Sequence, residues 1–200
     1  MIHPNTQLLF INEQMGYGVF ATAFIPEGTI TYVKDALEIT IKPDDYAQFG
    51  EGLKEAIDKY SYIDQNGDRI VSWDFAKYVN HCCQCNTMST GYGFEIAIRD
   101  IHAGEQITDE YGLFNLTEHM SVACGLSPCR QSLGPEDFEK YSAVWDEKIR
   151  QSIHKIFEVE QALFPLIDQE TANKVHELRH SPETYQSVFA LKYKRETATV

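Results

Sequence analysis

Short runs rich in β-branched and aromatic residues dominate the first half of the chain. Leu8-Leu9-Phe10-Ile11, Gly18-Val19-Phe20-Ala21 and Thr29-Ile30-Thr31-Tyr32-Val33 each predict a strand. Phe94-Glu95-Ile96-Ala97-Ile98 alternates as a half-buried strand does. Between these runs, Tyr46, Phe49, Leu53, Ile57 and Tyr60 fall three or four residues apart, which predicts a helical insert over about 43–60. Gln65-Asn66-Gly67-Asp68 predicts a hairpin turn, because Asn-Gly tolerates the positive φ such turns need. Residues 21–31 and 98–108 echo each other: an Ile sits three residues before a Gly, and Ile-Thr follows. Two similar turns between strands account for this without duplication.

The pattern changes near Gly134-Pro135. From Glu136 to Phe164 the apolar positions Phe138, Tyr141, Trp145, Ile149, Ile153, Ile156 and Leu163 form one stripe of a long helix. Pro135 suits a first helical position and Pro165 ends the run. Asp168 to Arg179 and Ser181 to Tyr193 predict two more helices. The class is α+β, a mostly β body over residues 1–117 with a helical extension over 135–200. The stripe needs cover. Packing on the β body is the default, with a homodimer through the extension or closure over a cleft as the alternatives.

Composition narrows the picture. No apolar run reaches the roughly 20 residues of a spanning helix, and the start lacks a secretory pattern, so an intracellular protein of cytoplasm or nucleus is expected. The net charge of −13 argues against nucleic acid as a partner. It suits a basic protein partner, although acidity also serves solubility alone. Five cysteines lie in two groups, Cys82, Cys83 and Cys85, then Cys124 and Cys129. An odd number without an export signal points to metal or a reactive site, not a disulfide framework.

Three segments carry candidate chemistry, each weak alone. In Gly16-Tyr17-Gly18, set in a loop just ahead of a strand, two glycines let backbone approach a ligand closely, although most such triplets are plain turns. Tyr78-Val79-Asn80-His81-Cys82-Cys83-Gln84-Cys85-Asn86 fits a thiol protease, a metal knuckle, a cofactor-binding turn, or a buried turn with inert thiols. Gly104-Glu105-Gln106-Ile107-Thr108-Asp109-Glu110-Tyr111-Gly112 reads as a turn, a short strand and a Tyr-Gly pair.

Taken in this order, the three resemble the SET-domain protein lysine methyltransferases, over residues 6 to about 130. The resemblance implies a fold of several small sheets with a threaded carboxyl-terminal segment. It implies S-adenosylmethionine as cofactor, with Gly16, Tyr17 and Gly18 against its methionine part and Asn80 and His81 holding its adenine and amino-acid groups. Tyr111 becomes the Tyr whose hydroxyl lies where cofactor and lysine channel meet, bound to cofactor and catalytic. The segment 118–134 resembles a post-SET segment with one cysteine replaced by Val122, so Cys83, Cys124 and Cys129 would hold a structural zinc. Cys85, two residues beyond Cys83, is the candidate fourth ligand. Lys77, Cys85 and Asp109 depart from the family pattern, and Asp109 stands where the residue helps set how many methyls are added.

The implied reaction is methyl transfer to a lysine of a histone or another basic protein. A lysine with a pKa near 10.4 is neutral in only about one molecule in a few thousand at pH 7. An apolar channel and a nearby sulfonium lower that pKa. A Tyr hydroxyl and backbone carbonyls then orient the amine, so Tyr111 is expected to orient rather than to act as a strong base. The rival expectation is a SET fold without catalysis that serves as a protein-interaction module.

Overall fold

The strand signals resolve into five small sheets in the computed structural model, which describes residues 1–122 and 124–194. β1 (Thr6–Asn12) and β2 (Gly16–Ala21) form an antiparallel hairpin. The Asn12 side-chain oxygen holds its turn by accepting from the Gln14 and Met15 N–H groups, each at 2.9 Å. Gly16 and Gly18 therefore lie within β2, not in a loop ahead of it, because pairing with β1 extends the strand through the glycines.

β3 (Ile30–Val33), β8 (Thr87–Ser89) and β9 (Phe94–Ala97) make a three-stranded antiparallel sheet with β9 in the middle. β4 (Ile39–Ile41), β5 (Ser61–Ile63) and β6 (Arg69–Val71) make another, ordered β4-β6-β5. The expected hairpin turn joins β5 to β6: Gly67 has φ +84, and Asp64 Oδ1 accepts from the Asn66 and Asp68 N–H groups. The helical insert is two helices, α1 (Pro43–Ala47) and α2 (Glu51–Tyr60), separated at Gly50.

β7 (Asn80–His81) and β10 (Thr108–Asp109) pair in parallel. Asn86 brackets β10, its amide donating to the Gln106 carbonyl and its Oδ1 accepting from Thr108 N–H, both at 2.8 Å. β11 (Met120–Ser121) and β12 (Ser132–Leu133) close the cysteine-bearing loop.

α3 (Asp137–Ile153) is shorter than its stripe suggested, tightening into a 3-10 turn over His154–Phe157. Pro135 precedes the capping residue Glu136 and does not occupy the first helical position. α4 (Gln169–Leu178) starts at Asp168, which accepts from Thr171 N–H at 3.0 Å. The helix expected over Ser181–Tyr193 is replaced by 3-10 turns at Pro182–Thr184 and Val188–Leu191. The reason is Asp146 on α3, whose carboxylate takes the Tyr185 hydroxyl, the Ser187 hydroxyl and the Val188 N–H. Those three bonds pull the segment onto α3 in an extended path.

The stripe is spent within the chain. Phe138, Trp145, Ile149, Ile153, Ile156 and Leu163 share one core with Ile30, Met88, Phe94 and Ile96 of the central sheet. It is therefore not the free face that a dimer through this stripe would need. A second core gathers Val19, Ala21, Ile25, Ala97, Ile101 and Ile107. In it the two echoed turns meet, Ile25 and Ile101 exchanging both backbone hydrogen bonds at 2.9 Å. No helix among the described residues is long and apolar enough to cross a membrane.

Candidate active site

Asp74 caps a 3-10 turn at Phe75–Tyr78 and delivers the chain into β7. There the Asn80 amide donates to the Tyr17 carbonyl on β2 at 3.0 Å. A Cβ at Gly18 would lie 2.6 Å from Ile11 Cδ1, 2.7 Å from Gln106 Nε2 and 3.1 Å from Asn80 Nδ2. Only glycine lets these polar ends close on the strand. Gln106 Nε2 is a buried donor with no partner, the kind of orphan that a ligand oxygen satisfies. Gly16 needs glycine for its φ of +74, and the space beside it is open.

His81 is buried, with Nδ1 3.0 Å from the Asp109 carbonyl and 3.3 Å from the Tyr111 N–H, and Nε2 3.4 Å from Cys83 Sγ. Burial, helped by the Arg130 guanidinium, pushes its pKa down to about 4, so the imidazole is neutral at pH 7. Tyr111 donates its hydroxyl to the Val79 carbonyl at 2.6 Å, and its ring packs on Phe114 with centroids 5.0 Å apart. Burial first, then the carboxylates of Asp109 and Glu95, push its pKa up. The hydroxyl keeps its proton and acts as a donor.

Tyr111 also lines a cavity of about 510 Å³, together with Tyr32, Tyr62, Phe114, Glu95 and Asp109. Gly16, Tyr17, Gly18, Asn80 and His81 do not line it. Tyr111 is linked to the glycine-bearing strand indirectly, through the Val79 carbonyl and the Asn80 amide that follows it. Asp109 is 1% exposed; its Oδ1 accepts from Glu110 N–H at 2.7 Å and its Oδ2 has no partner. The Glu95 carboxyl lies within hydrogen-bonding reach of Asp109. Burial raises both, Glu95 to about 7, and the Asp109 carboxyl is pushed further by the Glu95 charge. Sequence reasoning noted Asp109 and missed Glu95.

Among the described residues, Cys83, Cys124 and Cys129 bring their sulfurs within 4.8 Å of one another. Amide donors ring them: Arg130 N–H points to Cys83 Sγ at 3.3 Å and Gln131 N–H to Cys129 Sγ at 3.4 Å. Burial opposes ionisation of Cys124, yet the N–H groups of Leu126 and Cys83 and the thiols of Cys129 and Cys82 bring its pKa down to about 7. Clustered, amide-supported thiols of this kind suit a zinc ion. Cys85 does not join them. Its side chain is 4% exposed in the main core beside Met88 and Phe94, and burial raises its pKa. Cys82 is the thiol that meets Cys124.

Arg130 ties the cysteine segment to the site, reaching both the Glu110 carboxylate and, at 3.3 Å, that of Asp137 on α3. Glu110 in turn accepts from Gly112 N–H at 2.9 Å. Trp145 packs so closely on Gly112 that a Cβ there would lie 2.8 Å from its ring. The helical extension thus buttresses the turn that carries Tyr111, a role its stripe alone did not reveal.

Comparison with known proteins agrees with this arrangement. The SET-domain family model matches residues 16–112. The chain carries a SET domain. The match runs from the first glycine of β2 to the glycine after Tyr111 and takes in Tyr32, Tyr62, Glu95, Asp109 and Tyr111 of the cavity wall, while Phe114 lies just beyond it. A curated Arabidopsis thaliana protein named "Putative histone-lysine N-methyltransferase ASHH4" is 23% identical over 168 residues. That similarity takes in 77% of this chain and 47% of the relative, so the chain spans about half the relative's length. A crystal structure of KRYPTONITE in complex with mCHG DNA and SAH matches with a TM-score of 0.46 at 19% identity, over 66% of this chain and 29% of that one. The small sheets followed by a helical region are the SET architecture expected from the sequence.

Proposed function

We propose that this chain transfers methyl groups from S-adenosylmethionine to a lysine side chain of a histone or another basic protein. The observation that carries the reading is the position of Tyr111, which lines a cavity holding Tyr32, Tyr62, Glu95 and Asp109 and bonds Val79, the residue before Asn80 on the way to the glycine-bearing strand. The family match and the name of the Arabidopsis relative support lysine methylation as the chemistry. When bound, S-adenosylmethionine supplies a methyl on a positively charged sulfur, a strong electrophile.

Gly16, Tyr17, Gly18, Asn80 and His81 would hold it, with the open space at Gly16 and the unpaired Gln106 amide as the features that fit. The aromatic walls would exclude water from the lysine, and the Tyr111 hydroxyl and Val79 carbonyl would align its nitrogen. Cys83, Cys124 and Cys129 would hold a structural zinc whose loop is fastened to the site through Arg130. The acidic surface, net charge −13, favours a basic partner met in cytoplasm or nucleus.

The test is transfer of isotopically labelled methyl from S-adenosylmethionine to core histones and to a panel of basic proteins. Label appearing on lysine, and lost with Tyr111→Phe, supports the proposal. A folded protein that labels no lysine in the panel contradicts it.

A further inference from the structure

Resting on the methyltransferase reading, we propose that Glu95 and Asp109 form a carboxyl pair that receives the substrate lysine as its ammonium ion and takes its proton.

The two residues come from different parts of the chain, β9 and β10, and meet in one cavity. Asp109 is almost fully buried, and its Oδ2 has no hydrogen-bond partner although it lines this space. A proton held with the neighbouring Glu95 carboxyl can satisfy it, and so can an arriving N–H donor. The cavity wall also carries the aromatic rings of Tyr32, Tyr62, Tyr111 and Phe114, alongside charged groups such as Lys59, Arg69 and Lys77. Aromatic walls with a closely spaced acid pair suit a cation on a narrow apolar stem. A lysine side chain is such a group.

The charges around the pair keep it selective. Glu38, Tyr62 and the chain's amino group face Glu95, and the amino group is already paired with Asp35 and Glu38. Glu110, Tyr111 and Cys85 face Asp109, and Glu110 is paired with Arg130. Of the cations lining the cavity, Arg69 is paired with Asp58, Lys77 donates to the Ser72 carbonyl and Lys59 lies over the Tyr60 ring. No cation among the described residues is bonded to either carboxyl of the pair.

Two neighbouring carboxyls in such a place share one proton near neutral pH and carry a single negative charge. The arriving ammonium is its counter-ion. One N–H bond then breaks, its electron pair stays on nitrogen, and an O–H bond forms on the ionised carboxylate. Ammonium and carboxylate become neutral amine and neutral acid, with charge conserved. The freed lone pair takes the methyl supplied by S-adenosylmethionine: the N–C bond forms as the C–S bond breaks and its electron pair stays on sulfur. The methylated product is again a cation and the pair loses its extra proton to water after release. The transfer to the pair is uphill for an ordinary lysine, so it depends on the sulfonium and the apolar walls lowering the amine's hold on its proton, while the pair supplies a positioned acceptor.

Glu95→Gln and Asp109→Asn test this in the full chain, using a lysine-bearing basic substrate that the wild type methylates. Each keeps the side-chain shape, and melting curves check folding; if Asp109→Asn does not fold, Glu95→Gln alone decides. With Glu95→Gln, affinity for S-adenosylmethionine should stay within about two-fold, because Glu95 lies on β9, which pairs with neither β2 nor β7. With Glu95→Gln, kcat at pH 7 should fall about 100-fold and KM for the substrate should rise. The wild-type kcat should level off above about pH 7, whereas the variant's should climb about ten-fold per pH unit toward pH 10. Wild-type kcat and pH profile in a variant that binds the cofactor would overturn the proposal while leaving the methyltransferase reading intact. Failure of the wild type itself to bind S-adenosylmethionine and to label any lysine would overturn that reading, and this proposal with it.

Discussion

The Tyr111 hydroxyl donates to the Val79 carbonyl at 2.6 Å. Val79 is the residue before Asn80, and Asn80 reaches the glycine-bearing strand through the Tyr17 carbonyl. One hydrogen bond thus joins the edge of the cavity to the proposed cofactor site. Tyr111→Phe removes that bond at a cost of about 1 kcal/mol in stability. We expect cofactor affinity to hold and kcat to fall about 100-fold, through loss of alignment. Calorimetry and single-turnover labelling check the two halves separately.

Gly18 makes a sharper demand. A methyl there meets Gln106 Nε2 and Asn80 Nδ2 at 3.1 Å or less, so both amides must move. Gly18→Ala should weaken S-adenosylmethionine binding at least ten-fold, about 1.4 kcal/mol. Gly16→Ala meets no atom within 4 Å but strains a φ of +74, so it should cost about 1 kcal/mol of stability. Titration calorimetry and urea unfolding distinguish the two effects.

The cysteines make a third prediction. Cys124→Ser and Cys129→Ser should lower zinc content and the melting temperature together, because each removes one of three clustered thiols. Cys85→Ser should leave zinc content unchanged, because Cys85 is buried away from them. Elemental analysis of the purified variants decides.

Glu95 costs the fold something. Burial raises its pKa from 4.5 to about 7 in the folded state. Below pH 4.5 the carboxyl is protonated whether the chain is folded or not, so no penalty exists. As pH rises from 4.5 to 7 the unfolded chain ionises first, and folded stability is lost; above 7 the loss is constant. Glu95→Gln should therefore be more stable than wild type at pH 8, by on the order of 2 kcal/mol, and equal to it at pH 4. Urea unfolding at the two pH values checks the sign.

What could be read from the sequence was mostly local. The Asn66-Gly67 turn, the cap at Asp168 and the stripe from Phe138 to Leu163 each depend on neighbours a few residues away. The misreadings arose from distant partners. β1 draws Gly16 and Gly18 into a strand, and Asp146 pulls Tyr185 to Val188 out of a helix. Cys85 sits two residues from Cys83, yet the backbone turns its thiol into the core. Glu95 occupies the polar position of an alternating strand, which ordinarily faces solvent, and here that face is the wall of a cavity. The motif residues Asn80, His81 and Tyr111 do come together, because the parallel pairing of β7 with β10 aligns their two segments. The echo of residues 21–31 in 98–108 proved to be two turns joined by mutual hydrogen bonds.

The most direct test of the account is calorimetric titration of S-adenosylmethionine into the folded, zinc-replete protein, with Asn80→Ala as the control. The account predicts micromolar binding that the substitution weakens at least ten-fold. Absence of binding in the wild type, or equal binding in both proteins, would contradict it.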